Sequence, residues 1–322
     1  MLVGSDKFII KGKDLLELQK WCIEKGYPKF RAKQIFEWMY FHGEFNPMAM
    51  KNLSKDLKND LDSGCLLQTL KIEKISASEN ESTLKFLFKT TDNNFVETVS
   101  MVENNRHTVC ISSQIGCNLN CDFCATATMG IIRNLHTGEI IDQLGFIREK
   151  VEIPITNIVF MGMGEPFLNY DCVLKAADIF HNPKGFGLGA HRITISTAGV
   201  LPKINKFFKE GRKYRLAISL NASNDITRGK IMPINKKWSV SDLVDIGRKH
   251  AYRNRKVMFE YVLLAGINDS SENARELSQL LYGIDCKVNV IPYNETDGKY
   301  NRPSNEAIEL FLETLSINQK GY

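Results

Sequence analysis

The sequence predicts an α/β protein: a parallel sheet curled into a barrel or partial barrel of six strand–helix units, preceded by a small helical domain and a short β extension. Three observations carry this. Apolar residues recur at helical spacing through residues 12–62, strand-like alternation replaces that spacing from about 71 to 101, and from 108 onward apolar strands alternate with helical stretches. The expected boundaries are 1–65 for the helical domain, 66–105 for the β extension and 106–322 for the barrel.

In the first segment Leu15, Leu16, Leu18 and Trp21, then Ile35, Phe36, Trp38 and Met39, then Leu53, Leu57 and Leu61 step by threes and fours. Gly26 and Pro28 break the first run from the second, and Lys29, Arg31 and Lys33 gather positive charge there. Leu84–Phe88 and Phe95–Val99 then read as strands of a hairpin joined by the polar Thr91-Asp92-Asn93-Asn94. Strands are expected at 108–114, 156–161, 191–197, 215–220, 257–263 and 286–291, and helices near 137–150, 170–181, 201–209, 239–250, 271–282 and 304–316. In such folds function sits at the carboxyl ends of the strands and in the loops that follow.

Directly after the first of these strands Cys117, Cys121 and Cys124 are spaced C-x3-C-x2-C, with no fourth cysteine to complete the set. Iron–sulfur clusters are usually held by four thiolates, so three point to a cluster with one iron open to a ligand. A structural zinc site wants four ligands and pairs of C-x2-C, and neither a second pair nor a nearby His is present. Disulfides are disfavoured because residues 1–20 mix Lys, Asp and Glu among apolar positions and show no secretory segment. A cytoplasmic protein is expected, and no run of 18 apolar residues could span a membrane. Of the other cysteines, Cys22, Cys65, Cys172 and Cys286 read as small buried hydrophobes, while Cys110 stands in the first barrel strand. The composition, 43% hydrophobic and 25% charged, is that of an ordinary globular chain, and a net charge of +5 is compatible with a polyanionic partner without requiring one.

Other strand ends carry small polar groups. Met161-Gly162-Met163-Gly164-Glu165-Pro166 follows the second strand, and its glycines would let the backbone approach a ligand closely. Ser196-Thr197-Ala198-Gly199 follows the third, Ser219-Leu220-Asn221 ends the fourth and Ile291-Pro292-Tyr293-Asn294 follows the sixth. Each alone could be a helix cap or turn. Their shared position at one rim suits a polar cofactor.

The C-x3-C-x2-C motif after a first barrel strand, with Gly-Glu-Pro after the second, resembles the radical S-adenosylmethionine (SAM) superfamily. There, three cysteines bind a [4Fe–4S] cluster whose fourth iron chelates the amino and carboxylate groups of SAM. More narrowly, the chain is similar to the RlmN family of adenosine-C2 methyltransferases of 23S rRNA and tRNA. The stretches that carry the likeness are Phe30–Ile35, Val96–Val99, Cys110–Gln114, Arg133–Leu135, Met161–Pro166, Ile231–Asn235 and Gly266–Asp269, and they span residues about 12 to 322. Pro292 separates the chain from the related C8 methyltransferases of Cfr type, which tend to carry Arg there.

The resemblance implies roles. Cys117, Cys121 and Cys124 would ligate the cluster, and Gly164, Glu165, Ser196, Ser219, Leu220, Asn221 and Asn294 would bind SAM. Glu97 would be a proton acceptor, and Cys110, with Arg106 and His107 close in sequence, would help resolve a protein–RNA adduct. The implied reaction is radical because adenine C2 is electron-poor and has no lone pair with which to attack a sulfonium methyl. One SAM methylates a cysteine in a carboxyl-terminal loop. A second is reduced to a 5′-deoxyadenosyl radical, which activates that methyl for addition to the base. The base must be unstacked or lie in a single-stranded loop. Flavodoxin or ferredoxin is the implied electron donor, and a monomer is the default. Lys29, Arg31, Lys33, Arg212, Lys213, Arg215, Lys236, Lys237, Arg253 and Arg255 are possible phosphate contacts.

Two departures stand out. Relatives usually read Ser-Leu-His where this chain has Ser219-Leu220-Asn221; Asn keeps hydrogen bonding but cannot titrate. Residues 300–322 contain no Cys, whereas the family carries its methylated cysteine in an Asp-Ala-Ala-Cys-Gly-Gln segment beyond this point. The expectations are therefore an RlmN-type methyltransferase given without its final segment, a Cfr-like C8 methyltransferase, another radical SAM enzyme, or a non-catalytic RNA- or ribosome-binding relative.

Overall fold

The computed structural model of the protein describes residues 7–79, 82–251, 257–295 and 299–319. The chain divides into two compact units. One comprises the chain up to Ile115 with Arg133–Met163 and Asn169–Ile193, and the other comprises Gly116–Ile132, Gly164–Leu168 and the chain from Thr194 onward.

The first unit begins with strand β1 (Phe8–Ile9) and helix α1 (Leu15–Glu24). Asp14 and Glu17 close a reciprocal capping box at the start of α1, and Leu18, Trp21 and Cys22 turn its buried face inward. Helix α2 (Arg31–Phe36) runs on through a widened turn at Glu37–His42 that Gly43 ends in the left-handed conformation. Helix α3 (Lys55–Gly64) and strand β2 (Cys65–Leu66) follow, and β2 pairs in parallel with β1. Strands β3 (Leu70–Ala77), β4 (Thr83–Thr90), β5 (Phe95–Glu103) and β6 (Arg106–Cys110) form an antiparallel run, with a bulge between Ile72 and Lys74. The β extension is thus three strands rather than a hairpin, and Val99 pairs with Cys110 so that it continues directly into the first barrel strand.

Two short strands, β7 (Gln114–Gly116) and β8 (Ile131–Asn134), bracket the cysteine segment. Helix α4 (Thr137–Lys150), strand β9 (Asn157–Phe160) and helix α5 (Tyr170–His181) complete the first unit, with β9 parallel to β6. Phe86, Phe88, Val96, Thr98, Ser100, His107, Val109, Ile158 and Phe160 make the buried face of this sheet. In the same unit Lys11 and Asp142 form a wholly buried ion pair, 3.0 Å from Nζ to Oδ1. Asp142 also accepts from the Thr69 hydroxyl at 2.8 Å, and the Lys11 ammonium lies 3.9 Å from the centre of the Phe45 ring.

The second unit holds four parallel strands, β10 (Ile193–Thr197), β11 (Arg215–Ser219), β12 (Val257–Leu263) and β13 (Cys286–Pro292). Between and after them run α6 (Leu201–Lys209), α7 (Asp225–Ile231), α8 (Val240–Ala251), α9 (Ser271–Leu280) and α10 (Asn305–Gln319). The six expected barrel strands are all present, two in the first unit and four in the second. Near-continuous apolar runs such as Ile193–Ile195 and Leu216–Ile218 are what strands buried on both faces require. Cys22 and Cys65 are buried as expected, whereas Cys172 and Cys286 are only half-buried.

Candidate cluster and cofactor site

Backbone close packing shapes the cysteine segment. Gly116 has φ +75°, and a Cβ there would stand 1.8 Å from the Gly130 carbonyl oxygen. Only glycine fits, and the Cys117 N–H then donates to that oxygen at 2.8 Å. Asn120 takes the left-handed conformation at φ 52°, the Cys124 N–H donates to the Cys121 carbonyl at 3.0 Å, and the Asp122 N–H donates to the Ile231 carbonyl at 2.9 Å. Asp122 is held in turn by Lys299 and by the Tyr300 hydroxyl at 2.6 Å.

All three cysteines are free thiols. Burial pushes the Cys121 thiol up to about 12, the negative charges of Cys124, Cys117 and Glu165 push the same way, and the Arg228 guanidinium opposes them. Burial also raises Cys117, against which the N–H groups of Leu119 and Asn118 donate to its sulfur. Among the described residues no three His, Cys, Asp or Glu side chains converge as they would around one metal ion. A cluster offers each thiolate a different iron, so its ligands need not meet at a point. Three thiols close enough to feel one another's charge, two of them raised by burial and one sulfur facing N–H donors, fit a cationic iron–sulfur centre.

At the neighbouring strand ends Glu165 is buried. Its carboxylate accepts from the Phe167 N–H at 2.9 Å, the Ala198 N–H at 2.7 Å and the Thr197 hydroxyl. Burial nevertheless lifts its carboxyl to about 7, with the charge of Glu260 adding to the rise. Glu260, on β12, accepts on one oxygen from Ser196 at 2.5 Å and Ser219 at 3.1 Å; its other oxygen is buried and has no hydrogen-bond partner among the described residues. Burial raises this carboxyl too, against the two hydroxyls.

Among the described residues, Arg228 is the cation that stands against this acidic group. Arg228, on α7, is fully buried and donates to the carbonyls of Leu220 (2.9 Å), Ala198 (2.7 Å), Ser219 (3.2 Å) and Trp238 (3.4 Å) and to Asn235 Oδ1 (3.0 Å). It ties together the carboxyl ends of β10 and β11. Among the described residues, Glu165, Glu260 and three cysteines that would give up their protons to iron outnumber this guanidinium, a donor set that fits a cationic cluster and a sulfonium ammonium ligand.

Asn221 has φ 59°, a conformation Asn tolerates better than most residues. Its Oδ1 accepts from the Val262 N–H at 2.9 Å and its amide nitrogen lies 3.2 Å from the Met232 sulfur, so the side chain is engaged in holding strand ends. Asn268 adds to that staple by donating to the carbonyls of Asn221 and Val262, both at 2.8 Å. Leu220 is fully buried, Gly164 has φ 94°, and Asn294 is exposed after β13.

Glu97 and Cys110 belong to the first unit, where they share one face of its sheet. Val99 is opposite Cys110, and Glu97 is two residues from Val99 on the same strand. Glu97 pairs with Lys85 at 3.0 Å. His107 cannot assist Cys110, because it falls on the opposite, buried face, bonded to Ser100 at 2.8 Å and to the Ile153 carbonyl at 2.7 Å. Lys29, Lys33, Lys236 and Lys237 are exposed, and Arg31 is bonded to Gln34. Arg212, Lys213 and Arg215 line a cavity of about 450 Å³ at the amino ends of β11–β13, the end away from the polar rim. Arg253 and Arg255 lie outside the described residues.

Sequence reasoning missed Arg228 and Glu260. Glu260 had a signal, a lone carboxylate inside the apolar run Val257–Leu263. Arg228 had none, because its partners are backbone carbonyls distributed over several loops.

Two family models match the chain: the radical SAM superfamily over residues 111–277 and the ribosomal RNA large subunit methyltransferase N-terminal domain over residues 10–67. With the cysteine segment and the strand-end site, this makes the chain a radical SAM protein of α/β fold. A solved radical SAM methyltransferase from Sphaerobacter thermophilus superposes with a TM-score of 0.92 at 40% identity, covering 97% of this chain and 93% of that one. The dual-specificity RNA methyltransferase RlmN of Geobacter sulfurreducens is 41% identical over 310 residues, 95% of this chain and 84% of the relative. An RlmN relative from Dictyoglomus turgidum is 45% identical over 282 residues, 86% of this chain and 79% of its own length. The chain belongs to the RlmN family of radical SAM RNA methyltransferases. No helix among the described residues is long and apolar enough to cross a membrane.

Proposed function

We propose that this chain, together with the carboxyl-terminal segment that carries the family's methylated cysteine, methylates C2 of an adenosine in 23S rRNA and tRNA, as a cytoplasmic, monomeric enzyme fed by flavodoxin or ferredoxin. Cys117, Cys121 and Cys124 hold a [4Fe–4S] cluster. Gly164, Glu165, Ser196, Ser219, Leu220, Asn221 and Asn294 would bind SAM. When bound, cluster and SAM supply the one-electron chemistry that an electron-poor C2 carbon requires.

The protein's own part is positioning and charge. Glu165, held in place by two backbone N–H groups, is preorganised to receive the SAM ammonium. Ser196 and Ser219 are oriented by Glu260, and Arg228 fixes the strand ends that present them. Glu97 accepts the proton from the base and Cys110 resolves the adduct; their place on one half-exposed sheet face supports both roles. The observation that carries the reading is the C-x3-C-x2-C triad in one compact unit with buried Glu165, whose carboxylate is held by two backbone N–H groups, and with Ser196 and Ser219 held by Glu260.

The test is anaerobic reconstitution with iron and sulfide, followed by assays of SAM cleavage and of 2-methyladenosine in RNA. The RNA assay uses the chain extended by a relative's carboxyl-terminal segment, which supplies the methyl-carrying cysteine. Cluster assembly lost in Cys121→Ala, with 2-methyladenosine formed by the extended wild type, is the expected result. Cluster-independent methylation, or 8-methyladenosine as the product, would refute it.

A further inference from the structure

The half-exposed face of the first unit's sheet carries more positive charge than sheet packing alone explains. Pairing registers place Lys71 directly opposite Lys89, Lys74 opposite Leu87 and Lys85 opposite Val99, all on the face that bears Glu97 and Cys110. Arg106 joins them on β6. Lys71, Lys74, Lys85 and Arg106 are exposed and Lys89 is half-exposed.

Like charges directly opposite in a sheet destabilise it. Lys85 is compensated by Glu97 at 3.0 Å, and Arg106 faces Glu103 across the strands. Among the described residues Lys71, Lys74 and Lys89 pair with no carboxylate; Lys89 lies instead 5.8 Å from the centre of the Phe95 ring, itself exposed. Lysines on an edge strand can serve simply to block edge-to-edge aggregation. That accounts for Lys71 and Lys74 on β3 but not for Lys89, which lies on the interior strand β4.

We propose that this face is a track for the phosphate backbone of the RNA, with Lys71, Lys74 and Lys89 as phosphate contacts and Phe95 as a surface for an unstacked base. The proposal rests on the reading that the substrate is RNA. The track leads from β3 to Cys110 on β6, three strands and about 14 Å across the sheet at ordinary interstrand spacing, with the Lys71–Lys89 row displaced along the strands from the Lys85–Val99–Cys110 row. Bound phosphates neutralise the Lys71–Lys89 repulsion, and the same contacts bring a neighbouring nucleotide toward Glu97 and Cys110.

The test measures binding of the full chain to a synthetic RNA stem–loop with a loop adenosine, by fluorescence anisotropy across a potassium chloride series. A charge-reversal variant, K71E/K74E/K89E, keeps the β3 edge charged against aggregation while opposing phosphate. Each lost phosphate contact removes roughly 0.7–0.9 from the slope of log K against log salt. The variant should therefore lose roughly 2.1–2.7 from that slope and bind at least about tenfold more weakly at moderate salt, while remaining unaggregated with unchanged thermal unfolding. A control with the same charge change on other faces, K150E/K209E/K249E, should keep the wild-type slope, and K71R/K74R/K89R should keep both slope and affinity. Equal slopes for the two Glu triples, or loss of binding in the Arg triple, would overturn the track. Should the charge-reversal variant misfold, the single variant Lys89→Gln must by itself reduce the slope by roughly 0.7–0.9. A wild-type chain that does not bind the RNA would overturn the track and the RNA reading together, whereas RNA binding without C2 methylation would overturn only the assigned product.

Discussion

Glu165 should make the stability of the metal-free protein fall as the solution becomes more alkaline, and replacing it with Gln should abolish that dependence. Burial raises its carboxyl from 4.5 to about 7 in the folded protein. Below about pH 4.5 folded and unfolded chains both hold the proton, and stability is unaffected. Between there and pH 7 the unfolded chain has lost it while the folded chain keeps it, so each unit of pH costs the folded state about 1.4 kcal/mol. The loss amounts to about 3 kcal/mol by pH 8. The assay is denaturant unfolding under reducing, iron-free conditions at steps from pH 5 to 8.5, with wild type and Glu165→Gln compared at each step. Gln places an amide against one of the two N–H donors, so the variant starts less stable at pH 5. The gap should close by about 2.5 kcal/mol between pH 5 and pH 8, and a gap constant with pH would refute the buried-carboxylate argument. If Glu165 takes the SAM ammonium, SAM affinity should follow the opposite trend, weakening up to about tenfold per unit as pH drops below 7.

Arg228→Met strips donors from four carbonyls and Asn235 and should cost at least about 3 kcal/mol in thermal or chemical unfolding. It should also slow alkylation of Cys121 in the metal-free protein, because the charge that favours that thiolate is gone. Gly116→Ala forces a Cβ onto the Gly130 carbonyl at a positive φ that alone costs about 1–2 kcal/mol; iron uptake on reconstitution should drop while the α-helical circular dichroism stays. Lys11→Met leaves Asp142 buried without its cation and should lower stability by about 3–5 kcal/mol, with a further Asp142→Asn change recovering part of the loss in a double-mutant cycle.

The barrel strands were legible because parallel strands buried on two faces leave strand-length runs rich in β-branched and apolar residues, as in Ile193–Thr197 and Val257–Leu263. Strand β3 was not, because the bulge between Ile72 and Lys74 shifts its alternation halfway along. Helix α7 escaped for a different reason: seven residues are too few to show a helical period. His107 shows what sequence proximity misses in a strand, where neighbours point to opposite faces. The left-handed backbone at Asn221 explains how Asn serves at that position, yet a positive φ cannot be read from three letters. The triad itself was plain from spacing, whereas the opposing effects on Cys121 from Glu165 and Arg228 depend on long-range folding.

The most direct test of the central claim is electron paramagnetic resonance of the anaerobically reconstituted, reduced chain, recorded with and without SAM. A reduced-cluster signal that SAM shifts, that is absent from Cys117→Ala, Cys121→Ala and Cys124→Ala, and whose SAM response is weakened in Glu165→Gln is what the account predicts. A signal that persists when any one of the three cysteines is removed, or one that SAM leaves unchanged, would contradict it.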